Sequence, residues 1–211
     1  PFPRFIRRLL AIGVGTLLHH SPQIVYAVLY GSADAFIKHL FFGKGEYVPV
    51  AHTTPGGVVM ELNIAEKTQR LIYLGRPYEA PLTKFIESYL KKGRTFFDIG
   101  AHQGYYTLLA SSIVGPLGVV VSFEPSSHNF EKLAKNVATN NFSGRVQLVQ
   151  KAVGGENREI TLHLNPLNDG GASVNAFSVY HDSGEKWTES EIKKKFRHAS
   201  LAERVEMITI D

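Results

Sequence analysis

Between Thr95 and Val149 the chain switches repeatedly between two hydrophobic periods, and that alternation restricts its fold more than any other feature. Thr95 to Ile99 is a short apolar run of strand type. Tyr105 to Val114 follows as a helical segment, then a strand from Gly118 to Phe123. A helix from Ser127 to Thr139 shows Phe130, Leu133, Ala134 and Val137 on one face, and Val146 to Val149 closes the series as a strand. Strands separated by helical crossovers predict a βαβαβ unit, and hence a parallel sheet with right-handed connections.

On either side the pattern is looser. Residues 1–43 read as helical, with Ala33, Phe36, Ile37, Leu40 and Phe41 at amphipathic spacing after Ser32. Arg7-Arg8 before Leu9 to Leu18 has the charge pattern of a signal peptide, but that apolar run is too short to span a bilayer. A helical lid or a membrane-surface helix is the expectation, with peripheral membrane contact through residues 1–43. From Tyr47 the period becomes strand-like. Tyr47–Val50, Val58–Leu62 and Leu71–Leu74 read as three short strands, separated by Pro55-Gly56-Gly57 and Gly75-Arg76-Pro77. Leu82, Phe85, Ile86, Tyr89 and Leu90 then form a helical stripe, with Pro81 at its start and Gly93 as its stop. Beyond Val149, Glu159 to Leu164 and Val205 to Ile210 read as strands. They flank a polar loop, Asn165 to Ser173, and a charged segment, residues 185–203.

Composition removes several function classes. The 211 residues include no cysteine, so thiolate metal sites and cysteine nucleophiles are out. The histidines lack HExxH or paired-ligand spacing, and no Gly-x-Ser-x-Gly elbow occurs. The net charge is +4 without an aromatic-basic array, a poor footprint for nucleic acid, so no nucleic-acid partner is expected. The tight basic run Lys193-Lys194-Lys195 with Arg197 lies beside Glu189 and Glu191, as on a solvated helix face.

The chemistry concentrates in Asp98-Ile99-Gly100-Ala101-His102-Gln103-Gly104. Here an apolar strand ends in an acid, enters a Gly-x-x-x-Gly turn and opens a helix. Glycines let the backbone turn sharply and approach a ligand, and the helix start supplies free N–H groups. The spacing differs from the GxGxxG dinucleotide fingerprint, whose close glycines seat a pyrophosphate. An acid before the first glycine suits a ligand bearing an ammonium group. Glu124 ends the next strand, with Pro125 after it, where nucleotide-binding α/β folds place an acid on ribose hydroxyls. His102 reads either as a group that orients a ligand or as a filler at the helix start. Tyr105 and Tyr106 read as pocket wall or core.

These motifs together resemble the FkbM-type family of class I S-adenosylmethionine-dependent methyltransferases. The resemblance is carried by Tyr78-Glu79, by Phe97 through Thr107, by Phe123-Glu124-Pro125, and by Leu133 with Asn136-Val137 and Asn140. It continues in Ala152-Val153-Gly154, Asn168, Gly170 and Ser173, and Thr209-Ile210-Asp211. It implies a Rossmann-like α/β methyltransferase sheet, a βαβαβ half plus hairpin, with a helical N-terminal extension. The expected organisation is an extension over 1–45, a small β element over 46–77 and a cofactor-binding domain over 78–211 that stops before its central fourth strand. The resemblance also implies that Asp98, Gly100, Ala101 and Gly104 line the methionine portion of S-adenosylmethionine, with His102 and Tyr105 at the same turn. Glu124, followed by Pro125, would hold the ribose, and Ser126 and Ala152 would lie near the adenine. The implied activity is methylation of a hydroxyl on a sugar or secondary metabolite, in the cytoplasm or at a membrane surface. A non-catalytic binding module and an NAD-dependent oxidoreductase are the rival readings.

Overall fold

The computed structural model describes residues 49–54, 56–64, 66–76, 78–164, 190 and 202–210. The expected helical stripe Ala33–Phe41, the loop Asn165–Ser173 and the basic run Lys193–Arg197 lie outside these residues. The chain divides into two compact units between Tyr89 and Leu90.

In the first unit, β1 (Pro49–Thr53) and β2 (Val59–Asn63) form an antiparallel pair in which Val50 faces Leu62 and Ala51 faces Glu61. Val50, Met60 and Leu62 are buried, the alternation of a two-stranded ribbon with one covered face. Residues expected as a third strand, Leu71–Leu74, instead end a helix, α1 (Lys67–Tyr73). The cause lies upstream: the Glu66 carboxylate accepts N–H bonds from Thr68 (3.2 Å) and Gln69 (2.9 Å), which caps the first turn. Arg70 is fully buried within this unit and donates from Nη1 to the Ile64 carbonyl at 2.8 Å. Helix α2 (Ala80–Tyr89) stops short of Gly93. It buries Thr83 and Ile86, whereas Leu82, Phe85 and Tyr89 of the expected stripe are exposed.

The second unit holds the alternating segment. Strands β3 (Thr95–Ile99), β4 (Val119–Phe123) and β5 (Val146–Val149) form a parallel sheet in the order β3-β4-β5. Helices α3 (Tyr105–Val114) and α4 (Ser127–Thr139) make the crossovers. The register sets Asp98 opposite Ser122 and Ile99 opposite Phe123, so the carboxyl ends of β3 and β4 are level. Leu108, Ala110 and Val114 of α3, Val120 of β4, and Leu133 and Val137 of α4 are buried core. A second sheet joins β6 (Ala152–Val153), β8 (Ala202–Ile208) and β7 (Arg158–His163), with β8 in the middle. β8 runs parallel to β6 and antiparallel to β7. Ile160, Leu162 and Val205 form its core cluster. The α/β architecture with a parallel βαβαβ half is thus the one expected, and the antiparallel β7–β8 pair supplies the hairpin-like element.

Candidate cofactor site

The carboxyl ends of β3 and β4 carry the two acids singled out from sequence. Asp98 is buried at the penultimate position of β3. Its Oδ2 accepts the Thr107 hydroxyl at 2.5 Å, and the Thr107 Oγ1 lies 2.8 Å from Ser122 Oγ. A hydroxyl has one proton, and Thr107 spends it on the carboxylate; Ser122 therefore donates to Thr107. The result is a directed chain, Ser122 to Thr107 to Asp98, joining β4 through α3 to β3. Burial pushes the Asp98 carboxyl above its usual range, partly offset by the hydroxyl and N–H of Thr107.

The turn after Asp98 is built by backbone geometry. Gly100, His102 and Gly104 all have positive φ, at 78°, 53° and 94°. Such values are costly for side-chain-bearing residues, least so for Asn, Asp and His. The N–H groups of Gly100 and Ala101 both reach the Phe123 carbonyl at 2.9 Å, so the turn folds over the end of β4. A Cβ on Gly104 would stand 2.6 Å from Leu133 Cδ1, whereas a Cβ on Gly100 would point into open space. Packing thus demands a glycine at position 104. At position 100 an added Cβ meets nothing, so only the left-handed backbone favours glycine.

Glu124 sits one residue past β4 and is buried. Its Oε2 accepts the His102 N–H at 2.8 Å and its Oε1 accepts the Ser126 N–H at 3.0 Å. One carboxylate therefore ties the glycine turn to the start of α4. Burial raises the Glu124 carboxyl above its ordinary range; the bonds from Ser126, His102 and the Asn129 side chain pull it down, and the charge of Glu203 pushes it up. A carboxylate offers about four acceptor positions. Among the described residues the His102 N–H, the Ser126 N–H and the Asn129 side chain use three of them.

The remaining expected residues divide. Ala101 is buried within the turn, and His102 contributes a left-handed backbone and its N–H. The Tyr105 ring packs edge-on against Tyr106, with centroids 5.2 Å apart. Pro125 and the buried Ser126 follow Glu124 directly, and Ser126 is the N-cap position of α4. Ala152 lies on β6, opposite Met207, and packs against the Ile160–Leu162–Val205 cluster. Asn136 on α4 donates to the Gln103 carbonyl at 2.8 Å and so anchors the turn from below. Among the described residues no group of three or more His, Asp or Glu could hold a metal ion. Among the same residues no helix is long and apolar enough to cross a membrane.

A family model described as "Methyltransferase FkbM domain" matches residues 98–211, more than half of the chain, beginning at Asp98 itself. The chain belongs to the FkbM methyltransferase family. A search of curated proteins returns no match. Solved structures similar to this FkbM-family chain include a SAM-dependent methyltransferase from Aquifex aeolicus, 24% identical over 37% of this chain and 39% of that one, with a TM-score of 0.31. A SAM-dependent O-methyltransferase from Thermotoga maritima is 20% identical over 55% of this chain and 44% of that one, with a TM-score of 0.34. TYW2 of P. horikoshii in complex with MeSAdo is 16% identical over 53% of this chain and 38% of that one, with a TM-score of 0.38. The chain spans less than half the length of each of these structures.

Proposed function

We propose that this chain supplies the donor side of an S-adenosylmethionine-dependent methyl transfer to a hydroxyl oxygen of a sugar or secondary metabolite. The observation that carries the proposal is the pairing of two buried carboxylates at the level ends of adjacent parallel strands, with a left-handed glycine turn between them. In open α/β sheets ligands bind at the carboxyl ends of the strands.

The residues present fit such a cofactor. Gly100 leaves clearance above the turn. Asp98, oriented by Thr107, is an acceptor for the ammonium of the methionine portion. Glu124, one residue past β4, would accept a ribose hydroxyl. Ala101, His102, Gly104 and Tyr105 belong to or adjoin the turn, and on this reading Pro125, Ser126 and Ala152 would serve the adenine. S-adenosylmethionine, when bound, supplies a methyl group activated by the adjoining sulfonium. The chain's own contribution is to bind, orient and exclude water, the kind of positioning from which such displacements gain much of their rate. The acceptor is a small molecule or glycan, and residues 1–43 are the segment for membrane-surface contact.

Isothermal titration with S-adenosylmethionine and with NAD tests this reading. S-adenosylmethionine should bind, and Asp98→Ala or Glu124→Ala should each weaken it roughly 10- to 100-fold, as expected for losing a charge-assisted hydrogen bond. Folded variants with unaltered affinity would remove Asp98 and Glu124 from the site. Binding of NAD alone would replace a methyltransferase by an oxidoreductase. Transfer of a radiolabelled methyl group to a panel of hydroxyl acceptors then separates an enzyme from a binder without turnover.

A further inference from the structure

The start of α4 is held from an unexpected direction. Its N-cap residue, Ser126, makes no side-chain capping bond. Free N–H groups at a helix start call for an acceptor. One comes from β8: Glu203 Oε1 accepts the Ser127 N–H at 3.1 Å across 76 residues of sequence. From the end of β5, Gln150 Nε2 donates to Ser127 Oγ at 2.9 Å. Beside them Lys151 and Glu206 form an ion pair at 2.5 Å, again joining the β5 exit to β8. The Ser126 N–H is meanwhile taken by Glu124. Two carboxylates from different sheets therefore grip successive N–H groups of one helix turn, and one of the two is the acid assigned to the ribose.

We propose that Glu203 is a positioning residue for the cofactor corner: by holding Ser127 it fixes the Glu124-Pro125-Ser126 segment, and with it the orientation of the Glu124 carboxylate. This rests on the S-adenosylmethionine reading above. Among the described residues, the groups that face Glu124 are the His102 N–H from the turn, the Ser126 N–H and Asn129 side chain from α4, and the charge of Glu203 from β8. Glu203 therefore acts in two separable ways. Its oxygen holds the helix start, and its negative charge favours protonation of Glu124. Removing that charge lets Glu124 stay ionised to lower pH.

Cofactor titrations on the whole chain at a series of pH values separate the two effects. Glu203→Ala, which loses both, should bind S-adenosylmethionine several-fold more weakly than the unaltered chain. Glu203→Gln keeps an acceptor for Ser127 and should restore near-normal affinity at neutral pH. Its acid limb of binding should also move to lower pH, a shift that a merely structural cap would not cause. A Glu203→Ala variant of unaltered affinity, or a Glu203→Gln variant whose acid limb does not move, overturns the proposal. If Glu203→Ala does not fold, the Glu203→Gln profile decides alone. If the unaltered chain itself fails to bind S-adenosylmethionine, the cofactor reading falls and takes this role with it. Binding that is indifferent to Glu203 sinks only the positioning role.

Discussion

Gly100 and Gly104 carry the same sequence letter and similar φ, yet their surroundings differ in a way that separates binding from stability. At Gly104 an added methyl meets Leu133 Cδ1 at 2.6 Å, in addition to the penalty of φ at 94°. Strain and overpacking together should make Gly104→Ala lose roughly 2–4 kcal/mol of stability. At Gly100 nothing lies within 4 Å of the added methyl, so Gly100→Ala should lose only the backbone term, roughly 1–2 kcal/mol. The order should invert for S-adenosylmethionine affinity among folded variants, because the Gly100 methyl projects into the clearance a ligand would use. Urea unfolding and cofactor titration on both variants check this. Equal stability losses would show that Leu133 simply moves aside. His102 is the third left-handed position, and its N–H goes to Glu124.

At the scale of elements, Glu124 behaves as a joint. Its two oxygens serve N–H groups of two different segments, the turn at His102 and the start of α4 at Ser126. Glutamine has one acceptor oxygen, so Glu124→Gln must point an NH₂ at one of those N–H groups. The mismatch should destabilise the chain by about 1–3 kcal/mol, measurable by denaturant unfolding. No loss would mean that the joint carries no strain-sensitive contact. Much of this arrangement was legible beforehand. The boundaries of β3, α3, α4 and β5 follow the sequence reading because each element presents a full run at its own period. The two-residue β6 is too short to show any period. The Leu71–Leu74 run reads as a strand yet ends a helix, because four apolar residues do not distinguish the two periods. The available signal was Glu66, an acid placed to cap Thr68 and Gln69. Asp98, the glycines and Glu124 could be found because they are local to one another. Glu203 could not, since a contact across 76 residues leaves no spacing to read.

For the molecule as a whole, two carboxyls raised by burial give stability a definite dependence on pH. The raised folded-state values mean that the native state holds these protons more tightly than the unfolded chain, whose reference values are 3.8 for Asp98 and 4.5 for Glu124. Their stabilising contribution is therefore complete below those reference values and is lost as pH rises through the raised values. Asp98→Asn removes the Asp98 share while keeping an acceptor for Thr107. It should melt above the unaltered chain at neutral pH, and the gap should narrow as pH falls toward the ordinary carboxylate range. Calorimetric melting of both proteins across that range measures it, and a gap that stays constant with pH would contradict the burial argument.

The 76 residues between Ser127 and Glu203 also set a timetable. A ribosome adds roughly 5–20 residues per second, so the start of α4 is synthesised roughly 4–15 s before the carboxylate that caps it. β7 waits similarly for β8, its antiparallel partner. During biosynthesis the parallel half can therefore form first, with an open helix start. The corner that holds Glu124 can close only after β8 has been synthesised.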